Sequence, residues 1–199
     1  MALLLNGAFK MKFKEGKIIS MIYVEKNGKK LPIVFRYPKK SDVREAWKFY
    51  NKVIKETEFL SRITPVSLKD EKKWIDTILA GMKKGNKVQL FTEYEGRIIG
   101  SASVERKSEE RLKHVGGFGI CILQEFTGVG IDTLLMRGIE KSAMDMNLKI
   151  MKLSVYGKNK IGIGLYRKMG FKIAGRIPKA VKTSKGFDDD VIMYKVLKS

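Results

Sequence analysis

Cysteine and histidine are almost absent: the 199 residues contain one of each, Cys121 and His114. A single cysteine excludes an internal disulfide framework and suits a reducing compartment. With one histidine beside it, no cluster of His and Cys exists to hold a structural zinc ion. Long apolar runs are missing too. The opening MALLLNGAF has only a short one, with neither a basic start nor a cleavage pattern. It reads as neither a signal peptide nor a membrane span, so a cytoplasmic protein is expected. Internal repeats and low-complexity linkers are also lacking, and the length suits one domain with a real core.

Acidic charge is scarce as well. The formal net charge is +20, with 32 lysines against 9 arginines. Attraction to nucleic acid, acidic proteins or a polyanionic ligand is one reading, and a solvated lysine-rich surface is the other. Arginine is the better fork for phosphates and base edges, and these charges are spread along the chain. The balance argues against dedicated nucleic-acid binding.

What is present alternates between two periods. Short β segments are expected at AFKMKF, KIISMIYVE and LPIVFRY (8–13, 17–25 and 31–37), with Asn27-Gly28 as a two-residue hairpin turn. Ser41-Asp42 caps a helix over 41–56 with Val43, Trp47, Tyr50 and Ile54 inward. A second helix over 67–85 places Leu68, Trp74, Ile75, Ile78 and Leu79 inward and stops at Gly85. Two strands joined at Glu95-Gly96 follow, then a polar connector and the glycine-rich strand VGGFGICIL. Ile131, Leu134, Leu135, Ile139, Ala143 and Met146 mark the next helical face. KIMKLSVY is a strand, KIGIGLYRKM a short helix, and FKIAGRI and DVIMYKVL two closing strands. The order ββ(β)ααβββαβαββ predicts an α/β fold, a mixed sheet with helices on both faces.

Between VGGFGICIL and the third helix lies QEFTGVGID. A strand, a turn carrying G-x-G and a helix make an anion site. Glycines let backbone N–H groups approach a phosphate, and the helix N-terminus adds partial positive charge. G-x-x-x-x-G-K-[ST] occurs nowhere in the chain. A dinucleotide fingerprint needs a third glycine where Thr133 stands, and an acidic residue about twenty positions on that is missing.

HVGGFGICILQEFTGVGIDTLL followed by LSVYGKNKIGIGLYRKMGF resembles the GNAT superfamily of acetyl-CoA-dependent N-acetyltransferases. That family's pyrophosphate loop runs [QR]-x-x-G-x-[GA], a frame laid here on Thr127, Gly128, Val129, Gly130, Ile131 and Asp132. Its second signature is an asparagine before a short helix ending L-Y-x-x-x-G-F, matched by Asn159, Leu165-Tyr166 and Gly170-Phe171. The resemblance covers residues 31 to 197 and implies a GNAT-like domain over 31–199, with residues 1–30 as an added N-terminal β extension. The entry NGKKLPIVFRYPKKSDVREAWKFYNKV also looks like the protein-lysine acetyltransferase subgroup.

The resemblance implies that backbone groups of Ile120, Cys121 and Ile122 bond the pantetheine arm as a further strand. N–H groups from Gly128 to Thr133 then cradle the pyrophosphate, Asn159 holds the pantetheine, and Tyr166 protonates the departing thiolate. Family members often carry a glutamate base where this chain reads VGGFG. His114, at the start of that strand, is the candidate base by its ordinary pKa, with Glu93, Glu95 or a water chain as rivals. Thr127 and Asp132 depart from the loop's pattern, and the Asp132 carboxylate is expected to compete with a pyrophosphate for the same N–H groups. Cys121 has no sequence partner to activate it and reads as a strand residue, not a nucleophile. Asp188, Asp189 and Asp190 either border the acceptor cleft or form a solvated loop. No metal is expected.

The function implied is direct transfer of acetyl from acetyl-CoA to a primary amine, a protein or peptide amine being favoured. Small amines or polyamines are the alternative acceptors, and a non-catalytic acyl-CoA sensor the alternative class. A monomer or homodimer is expected.

Overall fold

The Asn27-Gly28 hairpin, the apolar alternation of the strands and the two helical stripes assemble into one layered sheet. The computed structural model describes residues 13–198. It contains β1 (Ile18–Lys26), β2 (Lys29–Arg36), α1 (Val43–Glu56), α2 (Leu68–Lys84), β3 (Lys87–Tyr94), β4 (Arg97–Arg106) and β5 (Val115–Ile122). Then come α3 (Ile131–Asp145), β6 (Ile150–Tyr156), α4 (Lys160–Lys168), β7 (Lys172–Thr183) and β8 (Gly186–Val196). The eight strands lie in the order β1-β2-β3-β4-β5-β6-β8-β7. Every pairing is antiparallel except β5 with β6. The strand expected over 8–13 lies outside the described residues except for Phe13, whose ring packs 5.5 Å from that of Tyr37.

Asn27 and Gly28 both take positive φ (51° and 73°), as the tight hairpin turn requires. The expected division at residue 30 falls inside β2, which joins the main sheet through Val34 to Arg36. Successive strand residues face opposite ways. Phe91 meets the Trp74 ring of α2, whereas Leu90 faces Gly138 of α3. The sheet therefore carries helices on both faces.

Two expectations about helix faces are corrected. In α1 the buried positions are Ala46, Phe49 and Val53. Val43, Trp47, Tyr50 and Ile54 are only half-buried. Trp47 is amphipathic and turns its indole N–H to the Val66 carbonyl at 2.8 Å. In α2, Leu68 and Trp74 are partly exposed, and the buried stripe is Glu71, Ile75, Ile78, Leu79 and Met82. Gly85 does end α2, in the left-handed conformation. Asp42 caps α1 by position only. Its carboxylate takes the Arg36 guanidinium at 2.7 and 2.9 Å and the Lys39 N–H at 2.8 Å.

The closing strands are longer than expected. Val181 pairs with Asp188 and Thr183 with Gly186, so the acidic run lies within β8 and is not a solvated loop. Asp188 accepts the Lys158 N–H, Asp189 takes Arg176, and Asp190 accepts from Ser154.

Candidate active site

β5 pairs with β4 along its whole length, from Gly116 to Ile122. It pairs with β6 only through Val115, Gly116 and Gly117. Beyond that point β6 runs on against β8 to Tyr156, and the two parallel strands part. The rings of Phe118, Tyr166 and Phe171 pack at 5.9 to 6.2 Å where they separate. From Phe118 to Ile122 the backbone edge facing β6 has no strand partner. Such an edge bonds an extended chain laid beside it.

Glycines shape both halves of β5 in opposite ways. A Cβ on Gly116 would stand 2.7 Å from Leu148 Cδ1 and 2.7 Å from Val104 Cγ2. That glycine allows close packing in the paired half. Gly119 has nothing within 4 Å of where its Cβ would be, and it leaves the floor of the cleft open.

A cavity of about 710 Å³ fills the separation. Its floor is the unpaired half of β5 with Gln89 and Ser101, and Tyr50 of α1 and Glu71 of α2 form one wall. Tyr156, Asn159 and Tyr166 form the other. The segment between α1 and α2 roofs it with Phe59, Leu60 and Arg62. Asn51 pins that segment by a two-way pair with Val66, at 3.1 and 2.8 Å, and Trp47 adds its bond to the same carbonyl. The Phe59 ring meets Tyr156 edge-on at 6.5 Å, which closes the roof across to β6. A second concavity of about 660 Å³ continues along the same face to Glu105 and Lys152.

Burial shifts the ionisable groups of the wall toward their neutral forms. Burial, with Cys121 adding to it, pushes the Tyr166 phenol up to about 12. Burial also pushes the Cys121 thiol up to about 12. Such a thiol is protonated and inert at neutral pH. Tyr50 is raised by burial first, then by Cys121, while Arg62 opposes and Glu71 adds. Glu71 is 4% exposed, and burial raises its carboxyl from 4.5 to about 7 against the pull of Arg62.

The turn into α3 completes the site. Gly128 and Gly130 have φ of 78° and 83°, a conformation that favours glycine. The first α-helical bond runs from the Leu134 N–H to the Gly130 carbonyl. Among the described residues, the N–H groups of Gly128, Val129, Gly130, Ile131 and Asp132 have no acceptor, and they lie at the N-terminus of α3. Two predicted donors are engaged. Thr127 gives both its N–H and its hydroxyl to the Gln124 carbonyl, at 3.2 and 2.8 Å. The Thr133 N–H bonds Asp132 Oδ1 at 2.7 Å.

The loop frame is corrected accordingly. The two left-handed glycines are its fourth and sixth positions, so Glu125 stands first, and its carboxylate pairs with Lys52 at 2.6 Å. Asp132 is the second residue of α3 and no part of the loop. Asn159 lines the cavity, and its Oδ1 caps α4 by accepting the Gly162 N–H at 2.8 Å.

The candidate bases fall elsewhere. His114 is exposed at the paired end of β5 and lines neither cavity. Six strand residues, about 20 Å, separate it from Ile120. Its strand begins where β5 and β6 are still joined, so chain position alone brings it nowhere near the cleft. Glu93 is bound to Arg36 Nε at 2.7 Å. Glu95 is exposed in the β3–β4 turn. Glu71 was missed, although its spacing from Ile75, Ile78 and Met82 puts a carboxylate on an apolar stripe, an anomaly readable in sequence.

Among the described residues no group of His, Cys, Asp and Glu could hold a metal ion, and no helix is long and apolar enough to cross a membrane. Comparison with known proteins agrees with the geometry. The model of the acetyltransferase (GNAT) family matches residues 43–171. The L-methionine sulfoximine/L-methionine sulfone acetyltransferase of Pseudomonas aeruginosa is 24% identical over 131 residues, 65% of this chain and 74% of that protein. The L-amino acid N-acetyltransferase AaaT of Escherichia coli is 28% identical over 109 residues, 54% of this chain and 67% of that one. A phosphinothricin acetyltransferase from Sinorhizobium meliloti, solved in complex with AcCoA, superposes with a TM-score of 0.74. It is 18% identical, over 83% of this chain and 88% of that one. The parted parallel strands, the uncapped glycine turn and the match across residues 43–171 converge: this chain belongs to the acetyltransferase (GNAT) family and is an acetyltransferase.

Proposed function

We propose that the protein transfers acetyl from acetyl-CoA to the primary amine of a small, amino-acid-like acceptor. The observation that carries this is the continuity of three features: free N–H groups before α3, the unpaired β5 edge, and a roofed cavity ending at Tyr166. Acetyl-CoA supplies an activated thioester. The N–H groups of Gly128 to Asp132 suit its pyrophosphate, and the backbone of Ile120, Cys121 and Ile122 suits its pantetheine arm. Asn159 keeps its amide NH₂ available on the opposite wall while its oxygen caps α4.

Tyr166 acts as donor to the leaving sulfur. Its raised pKa keeps the phenol protonated throughout the working range, so the proton is in place when C–S cleavage develops charge. Cys121 forms no acyl intermediate, because its thiol is protonated. Attack by the acceptor amine is therefore direct.

The partial roof favours a small acceptor over a protein chain. Phe59 on Tyr156 narrows the cleft, and a folded protein surface would have to displace that contact. Arg62 offers a cation at the roof for an acceptor carboxylate, and the relatives' names point to amino acids. An amino acid has no net charge and approaches the +20 surface without penalty, unlike a polyamine.

A CoA-release assay against L-amino acids, their sulfoximine and sulfone analogues, polyamines and lysine peptides tests this. Amino acids should turn over best, and acetyl-CoA at a hundredfold excess over its Kd should stabilise the fold by about 2.7 kcal/mol. Preferential turnover of peptides would replace the small acceptor by a protein amine. Cofactor binding with no turnover on any amine would instead select a sensor.

A further inference from the structure

We propose that Glu71 is the general base, and that its carboxylate takes the proton from the acceptor's ammonium on the α1–α2 side of the cavity. The inference rests on the acetyltransfer function argued above. An ammonium must lose a proton before its nitrogen can attack a thioester, since an alkylammonium titrates near 10.4. The base has to be a buried, accessible and uncommitted group beside the unpaired half of β5.

Among the carboxylates considered for that role, Glu71 fits. Glu93 is tied to Arg36, Glu95 stands in an exposed turn, and Asp188, Asp189 and Asp190 are engaged by Lys158, Arg176 and Ser154. The Glu71 side chain is buried, lines the cavity, and has no hydrogen bond or ion pair among the described residues. A buried carboxylate without a partner is costly to keep, and that cost is understandable where a substrate supplies the partner.

The groups that face it come from every wall. Arg62 of the roof draws its carboxyl down, Tyr50 of α1 responds to both Glu71 and Cys121 of β5, and Cys121 in turn acts on Tyr166 of α4. Gln89 and Ser101 of the floor do not titrate. Its own helix adds Asp70, which is exposed and bonded to Ser67. Tyr50 and Cys121 thus link Glu71 to the proton donor within the lining of one cavity.

Protons and electrons balance. Glu71 takes one proton from the ammonium and passes it to solvent. The freed nitrogen pair forms the C–N bond, and the C–S bond breaks. Sulfur receives the Tyr166 proton, and the nitrogen's second proton returns to Tyr166 through water.

The test compares Glu71→Gln, Glu71→Ala and Glu71→Asp in the full chain, with kcat/KM profiles over pH 5.5–9 on the best acceptor and acetyl-CoA affinity by calorimetry. The unaltered enzyme should show an ascending limb centred near pH 7, set by Glu71. Glu71→Gln should lose that limb and fall about a hundredfold or more at pH 7.5 while acetyl-CoA binding holds within threefold. Formate should restore part of the activity to Glu71→Ala, and Glu71→Asp should retain an intermediate rate. If Glu71→Gln does not fold, the alanine and aspartate variants carry the same test. A Glu71→Gln enzyme within threefold of the parent, with the same limb, overturns the proposal while leaving acetyltransfer standing. No turnover of any amine by the unaltered protein overturns both.

Discussion

The two sides of the cleft are built by different kinds of sequence. The side proposed for the cofactor is one continuous stretch, from the β5 edge through Gly128 and Gly130 to the start of α3, and offers backbone N–H and C=O groups. The side proposed for the acceptor is gathered from α1, the roof segment, α2, β3, β4 and β6, and offers side chains. The first keeps its donors free by local backbone geometry. The second holds a carboxylate out of water by tertiary packing. One side is pre-formed at little expense, whereas the other sacrifices stability for chemistry.

That difference is sharpest in the pH dependence of stability. Burial raises the Glu71 carboxyl from 4.5 to about 7, so the folded chain binds this proton more tightly than the unfolded chain. Its contribution is fully present below about pH 4.5 and is lost as pH rises through about 7, by up to about 3 kcal/mol at 1.36 kcal/mol per unit. Glu71→Gln should remove this loss, so that urea midpoints of parent and variant diverge between pH 5 and pH 8. Parallel profiles would show that the carboxyl is hydrated in solution. Activity and stability thus pull in opposite directions at this residue.

The paired half of β5 supplies a second contrast. Gly116→Ala forces a methyl against Leu148 and Val104, both buried, and should destabilise by roughly 2 kcal/mol. Gly119→Ala, three residues on in the open half, should leave stability nearly unchanged, since its Cβ meets nothing within 4 Å. Equal losses at the two positions would mean that the strands do not part where the pairing ends.

Tyr166→Phe addresses the chemistry between the two sides. Loss of the hydroxyl should lower kcat about tenfold or more, about 1.4 kcal/mol, while acetyl-CoA affinity holds. An unchanged kcat with chemistry rate-limiting would return Tyr166 to the aromatic cluster with Phe118 and Phe171.

The smallest effect belongs to the turn. Asp132→Ala removes a carboxylate from the first turn of α3 and frees the Thr133 N–H that it now occupies. Acetyl-CoA should bind several-fold more tightly by calorimetric titration, a gain near 1 kcal/mol, with a slight fall in stability of the free protein. Weaker binding would show that the Asp132 side chain turns away from the phosphates.

Much of the fold was legible because its signals are local. The Asn27-Gly28 turn and Gly85 as a helix stop follow from nearest-neighbour sterics and stand where expected. The stripe of α3 is buried at Ile131, Leu135, Ile139 and Ala143, with Leu134 half-buried, Met136 added and Met146 just past the helix end. Local signals failed where a side chain had a distant partner. Asp42 reads as a helix cap, but a buried guanidinium six residues away binds it more strongly. Trp47 and Tyr50 read as core, but one holds the roof and the other lines the cavity. His114 was singled out by its pKa and its place at the start of the strand, but that end of β5 is still paired with β6 and lies away from the cavity.

By itself the sequence determined the order of elements, the glycine turn before a helix, and the asparagine that caps α4 with the tyrosine inside it, since each depends on contiguous residues. Tertiary structure alone decided where β5 and β6 part and which carboxylate loses its water. The parting depends on pairing between strands more than thirty residues apart, and the desolvation of Glu71 on surrounding walls drawn from several separate segments.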